Sequence, residues 1–136
     1  MEANKAVVRR WIEARNANDI EAAAACWTEP ERAGLRRAFA GMTGAFPDIR
    51  ITEEALIGEG DAVVLRWTFR GTHRGPFRGI PPTGRTVEWT GIDIYTVAAG
   101  WIAELVREAD TLALLQQLGV APPPAGAPAG GGPSDT

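Results

Sequence analysis

The chain has 136 residues, 45% hydrophobic and 23% charged, which is the length and balance of one folded domain rather than of a disordered or fibrous chain. A formal charge of −3 argues against the basic footprint of a nucleic-acid binder, and one cysteine, Cys26, excludes an internal disulfide. One histidine, His73, cannot anchor a zinc site with a lone thiol, and the only serine, Ser134, sits in a Pro/Gly/Ala stretch, which removes serine-nucleophile chemistry.

The segment MEANKAVVRR enters helical periodicity at once with no apolar leader, and no run approaches the ~20 apolar residues of a membrane span, so a cytoplasmic protein is expected. Val7, Val8, Trp11 and Ile12 form the apolar stripe of a helix from Asn4 to Arg15. Asn18 with Glu21 reads as a capping box opening a short alanine-rich helix through Trp27. Thr28 with Glu31, and Pro30 in the first turn, open a third helix on Leu35, Ala38, Phe39, Met42 and Phe46, ended by Pro47. After Asp48 the apolar period changes from helical to two. Strands are predicted over 49–56, 62–70, 87–97 and 101–109, with turns at 58–61 and 98–100, while 71–85 is too punctuated by Gly and Pro to be regular throughout.

Asp110 either ends the last strand or caps a closing helix, TLALLQQLG, stopped by Gly119. Residues 1–120 form the domain. Residues 121–136, APPPAGAPAGGGPSDT, cannot bury enough apolar surface to offset ordering and are predicted to be a disordered tail. Helices first and strands afterwards imply an α+β fold, with the helices on one face of a curved antiparallel sheet. Period two places Trp89, Gly91, Asp93 and Tyr95 on one face of the third strand. On the last strand it groups Glu104, Val106, Glu108 and Asp110, unless a bulge shifts the register.

NKAVVRRWIEARNANDIEAA, AFPDIRIT, EGDAVVLRWTFRGTHRGPFRGIPPTGR, GIDIYTV and EADTLALLQQLG together resemble the SnoaL-like polyketide cyclases, of the wider nuclear transport factor 2 and ketosteroid isomerase superfamily. The resemblance runs from Asn4 to about Val120. It implies a cone, in which a bent antiparallel sheet wraps the N-terminal helices around an apolar pocket, and a homodimer through the convex sheet face. It also implies an acid/base role for Asp110 and a pocket position near Tyr95, where the family carries a histidine. The chain departs from the family after Trp27, which runs straight into TEPERAGL. Some fifteen residues usual at that point, with their short strand and polar pocket group, are missing.

The resemblance therefore implies a cofactor-independent cyclase closing a ring in a polyketide-like substrate by aldol chemistry, with carboxylates as acid and base and no metal. Asp110, Tyr95 and Asp93 are the candidate catalytic groups. Trp11, Phe39, Trp67, Trp89 and Arg107 are the candidate substrate-binding groups. Each has a plainer reading. Asp110 could be a helix cap, Asp93 a polar group satisfied by Arg66 or Arg107 across the sheet, and the aromatics ordinary core. His73 is expected to fix its loop, and Glu104 and Glu108 to be solvated or at a dimer face. Alternative functions are a pericyclic, Diels–Alder-type cyclase that folds a polyene in an aromatic pocket, a cofactor-free hydroxylase, or a non-catalytic small-molecule-binding dimer.

Overall fold

The apolar stripe at the start of the chain folds as helix α1 (Glu2–Asn16) in a computed structural model that describes residues 2–122. The tail expected over 121–136 therefore lies outside the described residues from position 123 onward. Val7, Val8, Trp11, Ile12 and Ala14 are buried on one side of α1. The second helix, α2 (Ile20–Ala24), is capped by Asp19, which accepts from the Ala22 amide at 3.1 Å; Asn18 instead adopts left-handed backbone with φ of 55°. Asp and Asn are nearly equal caps, so the start slips by one residue, and α2 stops at Ala24 rather than Trp27. Thr28 makes no side-chain cap. Glu29–Glu31 form one 3₁₀ turn, after which α3 (Arg32–Ala45) begins.

Four strands come next, β1 (Arg50–Glu59), β2 (Ala62–Thr72), β3 (Thr86–Ala98) and β4 (Trp101–Ala109), paired antiparallel in chain order into a curved, unclosed sheet. Two register shifts interrupt it, one between Glu53 and Ala55 in β1 and one between Thr96 and Val97 opposite β4. An extra residue bends a strand and re-aims the side chains beyond it. In β4 the extra residue is Ala103, because Thr96 pairs with Glu104 while Val97 pairs with Ile102. Beyond the bulge, Leu105, Arg107 and Ala109 stand opposite Tyr95, Asp93 and Gly91 on the inner face, and Glu104, Val106 and Glu108 turn outward.

The inner face of β2 carries buried Val63, Leu65, Trp67 and Phe69. Phe46, at the end of α3, meets Phe69 and Phe77 edge-on at 5.2 and 5.4 Å, while Trp89 meets Trp67 and Phe69 at 5.8 and 5.9 Å. Gly91 leaves room for Trp67: a Cβ there would stand 2.3 Å from the Trp67 ring. Helix α4 (Thr111–Gln117) closes the fold. Its Leu114 is buried, and the Gln117 amide exchanges two hydrogen bonds with the Glu88 backbone at 2.7 and 2.8 Å, completing β3 where β4 has ended.

Candidate active site

The buried polar chemistry of the inner face is one chain of hydrogen bonds. The Trp11 indole donates to the Tyr95 hydroxyl at 3.1 Å, and Tyr95 donates to Asp93 Oδ2 at 2.7 Å. Arg107 then clamps the same carboxylate from β4, through Nε to Oδ1 at 2.7 Å and Nη2 to Oδ2 at 2.9 Å. The register explains the meeting, since Asp93 and Arg107 are directly paired across β3 and β4. Burial pushes the Asp93 carboxyl upward, but the hydrogen bonds and charge of Arg107, with Tyr95, outweigh it and hold the group below the usual carboxylate range. Burial, then the Asp93 charge, raises Tyr95 well above an ordinary phenol, so Tyr95 is a fixed donor and not an ionising one. Asp93 is 1% exposed, whereas the Arg107 side chain keeps 35% of its surface open and lies over the Trp67 ring at 5.3 Å.

Above this chain lies a cavity of two lobes sharing Arg15, Ala38, Met42 and Arg107. The first lobe, about 280 Å³, is walled by Trp11, Trp27, Phe39 and Leu105, with Glu31 at its rim. The second, about 380 Å³, is walled by Trp67, Phe69, Phe77 and Trp89, with Arg78 at its rim. Arg15 stacks on the Trp11 ring at 5.0 Å, and among the described residues its guanidinium makes no hydrogen bond or ion pair. Burial first, then the charge of Arg107, lowers its pKa to about 10, so it is still a cation at neutral pH. The indole N–H groups of Trp27, Trp67 and Trp89 are buried without a partner among the described residues. Among those residues no group of three or more His, Cys, Asp or Glu is arranged to hold a metal ion. No helix there is long and apolar enough to cross a membrane.

Seven of the eight residues singled out from the sequence gather here. Trp11 and Phe39 line the first lobe, Trp67 and Trp89 the second, Arg107 both, and Asp93 with Tyr95 forms the layer beneath. Asp110 is the exception, and the environment expected for it, a desolvated carboxyl in an apolar hollow, is corrected. Asp110 is exposed, accepts from the Ala113 amide at 3.1 Å as the N-cap of α4, and borders a groove with Arg66 and Glu108 on the outer face of the sheet. The Ala103 bulge puts the inner face on odd-numbered residues from Leu105 onward, and Asp110 is even. Asp93 is likewise no free base, because both its oxygens are occupied by donors. His73 is fully buried, with Nδ1 accepting from the Thr83 amide at 3.1 Å, which ties the 73–85 loop together away from the cavity lining.

Arg15 was missed by sequence reasoning, although a signal was there. Val8, Trp11 and Arg15 lie at i, i+3 and i+7, so a cation extends the apolar stripe of α1 just where it meets the cavity.

A family model described as SnoaL-like polyketide cyclase matches residues 5–118. Among solved structures the chain is similar to AclR from Streptomyces galilaeus, provisionally described as a hydroxylase, with 27% identity over 90% of this chain and 88% of that one, and a TM-score of 0.82. It is similar to TsrD from Streptomyces laurentii, with 29% identity over 88% of this chain and 97% of that one, and a TM-score of 0.77. It is also similar to IdmH from Streptomyces antibioticus, provisionally described as a polyketide cyclase, with 28% identity, 86% and 99% coverage, and a TM-score of 0.75. No curated protein matches the sequence.

Proposed function

Because the chain belongs to the SnoaL-like polyketide cyclase family, we propose that it closes a ring in a polyketide-like small molecule by folding that molecule between aromatic walls and polarising one of its carbonyl groups with Arg107. The observation that carries this reading is that Arg107, clamped from behind by Asp93, reaches both lobes of the cavity. A guanidinium held by a buried carboxylate is a donor of fixed direction, aimed before the substrate arrives. Such a preorganised donor is worth about 2.7–4 kcal/mol of transition-state stabilisation, and holding two reacting ends of a chain together can supply about 7–11 kcal/mol.

Ring closure of the pericyclic kind suits a cavity with these groups. Two new σ bonds form from π electrons, no proton enters or leaves, and no base or cofactor is required. A hydrogen bond to a conjugated carbonyl draws density from the alkene and lowers the barrier. An aldol closure would need a base at the substrate carbon. Among the described residues the carboxylates nearest the cavity are Asp93, both of whose oxygens already accept hydrogen bonds, and Glu31, exposed at the rim. Two copies are further proposed to pair through the outer sheet face, as the resemblance implies.

The test is the rate of ring closure of an open-chain polyketide. Arg107→Met is expected to slow it by about 10²–10³-fold, while Asp110→Asn stays within twofold and the rate is flat between pH 6 and pH 9. Where stranding the Asp93 charge prevents folding, the double variant Asp93→Asn/Arg107→Met replaces the single one. A rate that collapses in Asp110→Asn and follows a carboxyl titration assigns acid–base chemistry to Asp110 instead. A reaction that consumes oxygen assigns a hydroxylase.

A further inference from the structure

Two arginines line the junction of the lobes, and one buried carboxylate lies beneath them. Asp93 takes two hydrogen bonds from Arg107 and none from Arg15. Arg15 feels the Asp93 charge without being bonded to it, and one carboxylate beneath two guanidinium groups leaves one positive charge unbalanced. Arg15 is half-buried on the apolar face of α1, its stacking on Trp11 draws it inward rather than out along the surface, and Arg107 repels it. A half-buried guanidinium that no carboxylate among the described residues binds directly is unfavourable for an empty fold, and an isosteric neutral side chain would relieve it. The natural counterpart is a negative charge on whatever fills the cavity.

The surroundings say which lobe receives it. Glu31 borders the first lobe and disfavours an anion there. Among the described residues no carboxylate borders the second, where Arg78 stands at the rim, its guanidinium over the Phe77 and Trp89 rings at 5.0 and 5.7 Å. An anion approaching that mouth meets one cation outside and two within. The walls it then enters are aromatic, and about 380 Å³ accommodates a fused bicyclic ring system.

We infer that the cavity takes an aromatic or polyene acid, with a carboxylate or ionised enol seated on the Arg15 guanidinium at the junction and its apolar rings between Trp67 and Trp89. The inference names the substrate class of the proposed cyclase and rests on that reading only for the word substrate, since binding can be measured without turnover. Arg15 supplies a planar fork that can hold both oxygens of a carboxylate. Arg107, fixed on Asp93, is left to polarise a carbonyl further along the molecule.

The probes are 2-naphthoate and its neutral methyl ester, titrated at pH 7 while tryptophan fluorescence is followed, with calorimetry as a second readout. The expected result is that wild type binds the acid at least tenfold more tightly than the ester. Arg15→Gln is expected to erase that difference and leave ester binding unchanged, and Arg15→Lys to keep part of it. Should Arg15→Gln fail to fold, Arg15→Lys carries the test alone, with a reduced preference as the supporting outcome. Equal affinity of wild type for the two probes, no binding of either up to its solubility limit, or an undiminished preference in the variants overturns the inference. A protein that holds naphthoate through Arg15 but closes no ring keeps the acid site and loses the cyclase reading. One that closes rings of acid and ester substrates with the same KM loses the acid site alone.

Discussion

Four hydrogen bonds converge on the Asp93 carboxylate and the Tyr95 hydroxyl, so removing the carboxylate charge affects every partner at once. Its pKa in the fold lies below the unfolded value of about 3.9, because Arg107 and Tyr95 outweigh the upward push of burial. A depressed carboxyl contributes stability that is fully present above its unfolded pKa and is lost as pH falls through the folded one. Asp48, which takes hydrogen bonds from the amide and hydroxyl of Thr72, is also depressed and acts in the same window. Tyr95 has the opposite sense. Its raised pKa contributes stability below about pH 10 that is lost in stronger base. Asp93→Asn is accordingly expected to cost about 2–4 kcal/mol at pH 7, less than a fully buried pair because Arg107 is partly open. Urea unfolding at pH 7 and pH 3 checks this: the gap to wild type must narrow in acid, where the Asp93 carboxyl of the unfolded chain takes up a proton and the linkage contribution of its depressed pKa shrinks. A gap that holds or widens removes the charged clamp. The sequence already allowed this pairing but left Arg66 and Arg107 as equal partners, since only the register of β4 decides between them.

Elements were legible where periodicity is long and strong. The four strands fall within three residues of their predicted bounds, because alternation over eight or more residues leaves one face to bury, and the closing helix falls within two because Asp110 and Gly119 mark its ends. Short helices were read less well: Asn18 and Asp19 are both competent caps, and Thr28 lies before a proline-bearing 3₁₀ turn rather than at a helix start. The β4 bulge was foreseen only as a possibility. Its extra residue is an alanine, with none of the glycine signature that marks some bulges, so nothing local announces that the strand reverses its faces after Ile102. That reversal sends Asp110 to the cap of α4, which sets the cost of replacing it. Asp110→Ala should destabilise the protein by about 0.5–2 kcal/mol, whereas Asp110→Asn, which still accepts from the Ala113 amide, should be nearly neutral. Amide exchange over 111–118 localises the effect: in the alanine variant protection falls in α4 first. Equal loss in both variants would mean that the carboxylate charge matters beyond capping.

Rows of side chains that cross the whole sheet belong to no single strand, and they are the part of the molecule least visible in a linear sequence. The inner row Leu65–Asp93–Arg107 builds the floor of the site; alternation groups its middle member with Trp89 and Tyr95, and the resemblance turns that face toward the pocket. The outer row emerges only when both bulges are in place. Ile57 pairs with Val64, Val64 with Ile94, and Ile94 with Val106, so one apolar line spans all four strands. Ile57, Ile94 and Val106 are 61%, 45% and 54% exposed, and a contiguous apolar line of this kind on a sheet face is the usual mark of a covered surface. The homodimer implied by the resemblance would cover it. Wild type should then sediment as a dimer at ten-micromolar concentration, and Ile94→Lys should sediment as a monomer with an unchanged circular dichroism spectrum, because the new ammonium faces solvent once the partner leaves. The cavity lies on the other side of the sheet, so naphthoate binding in Ile94→Lys should match wild type. A monomeric wild type removes the dimer. A dimer unaffected by lysine at the centre of the outer row moves the interface to another face.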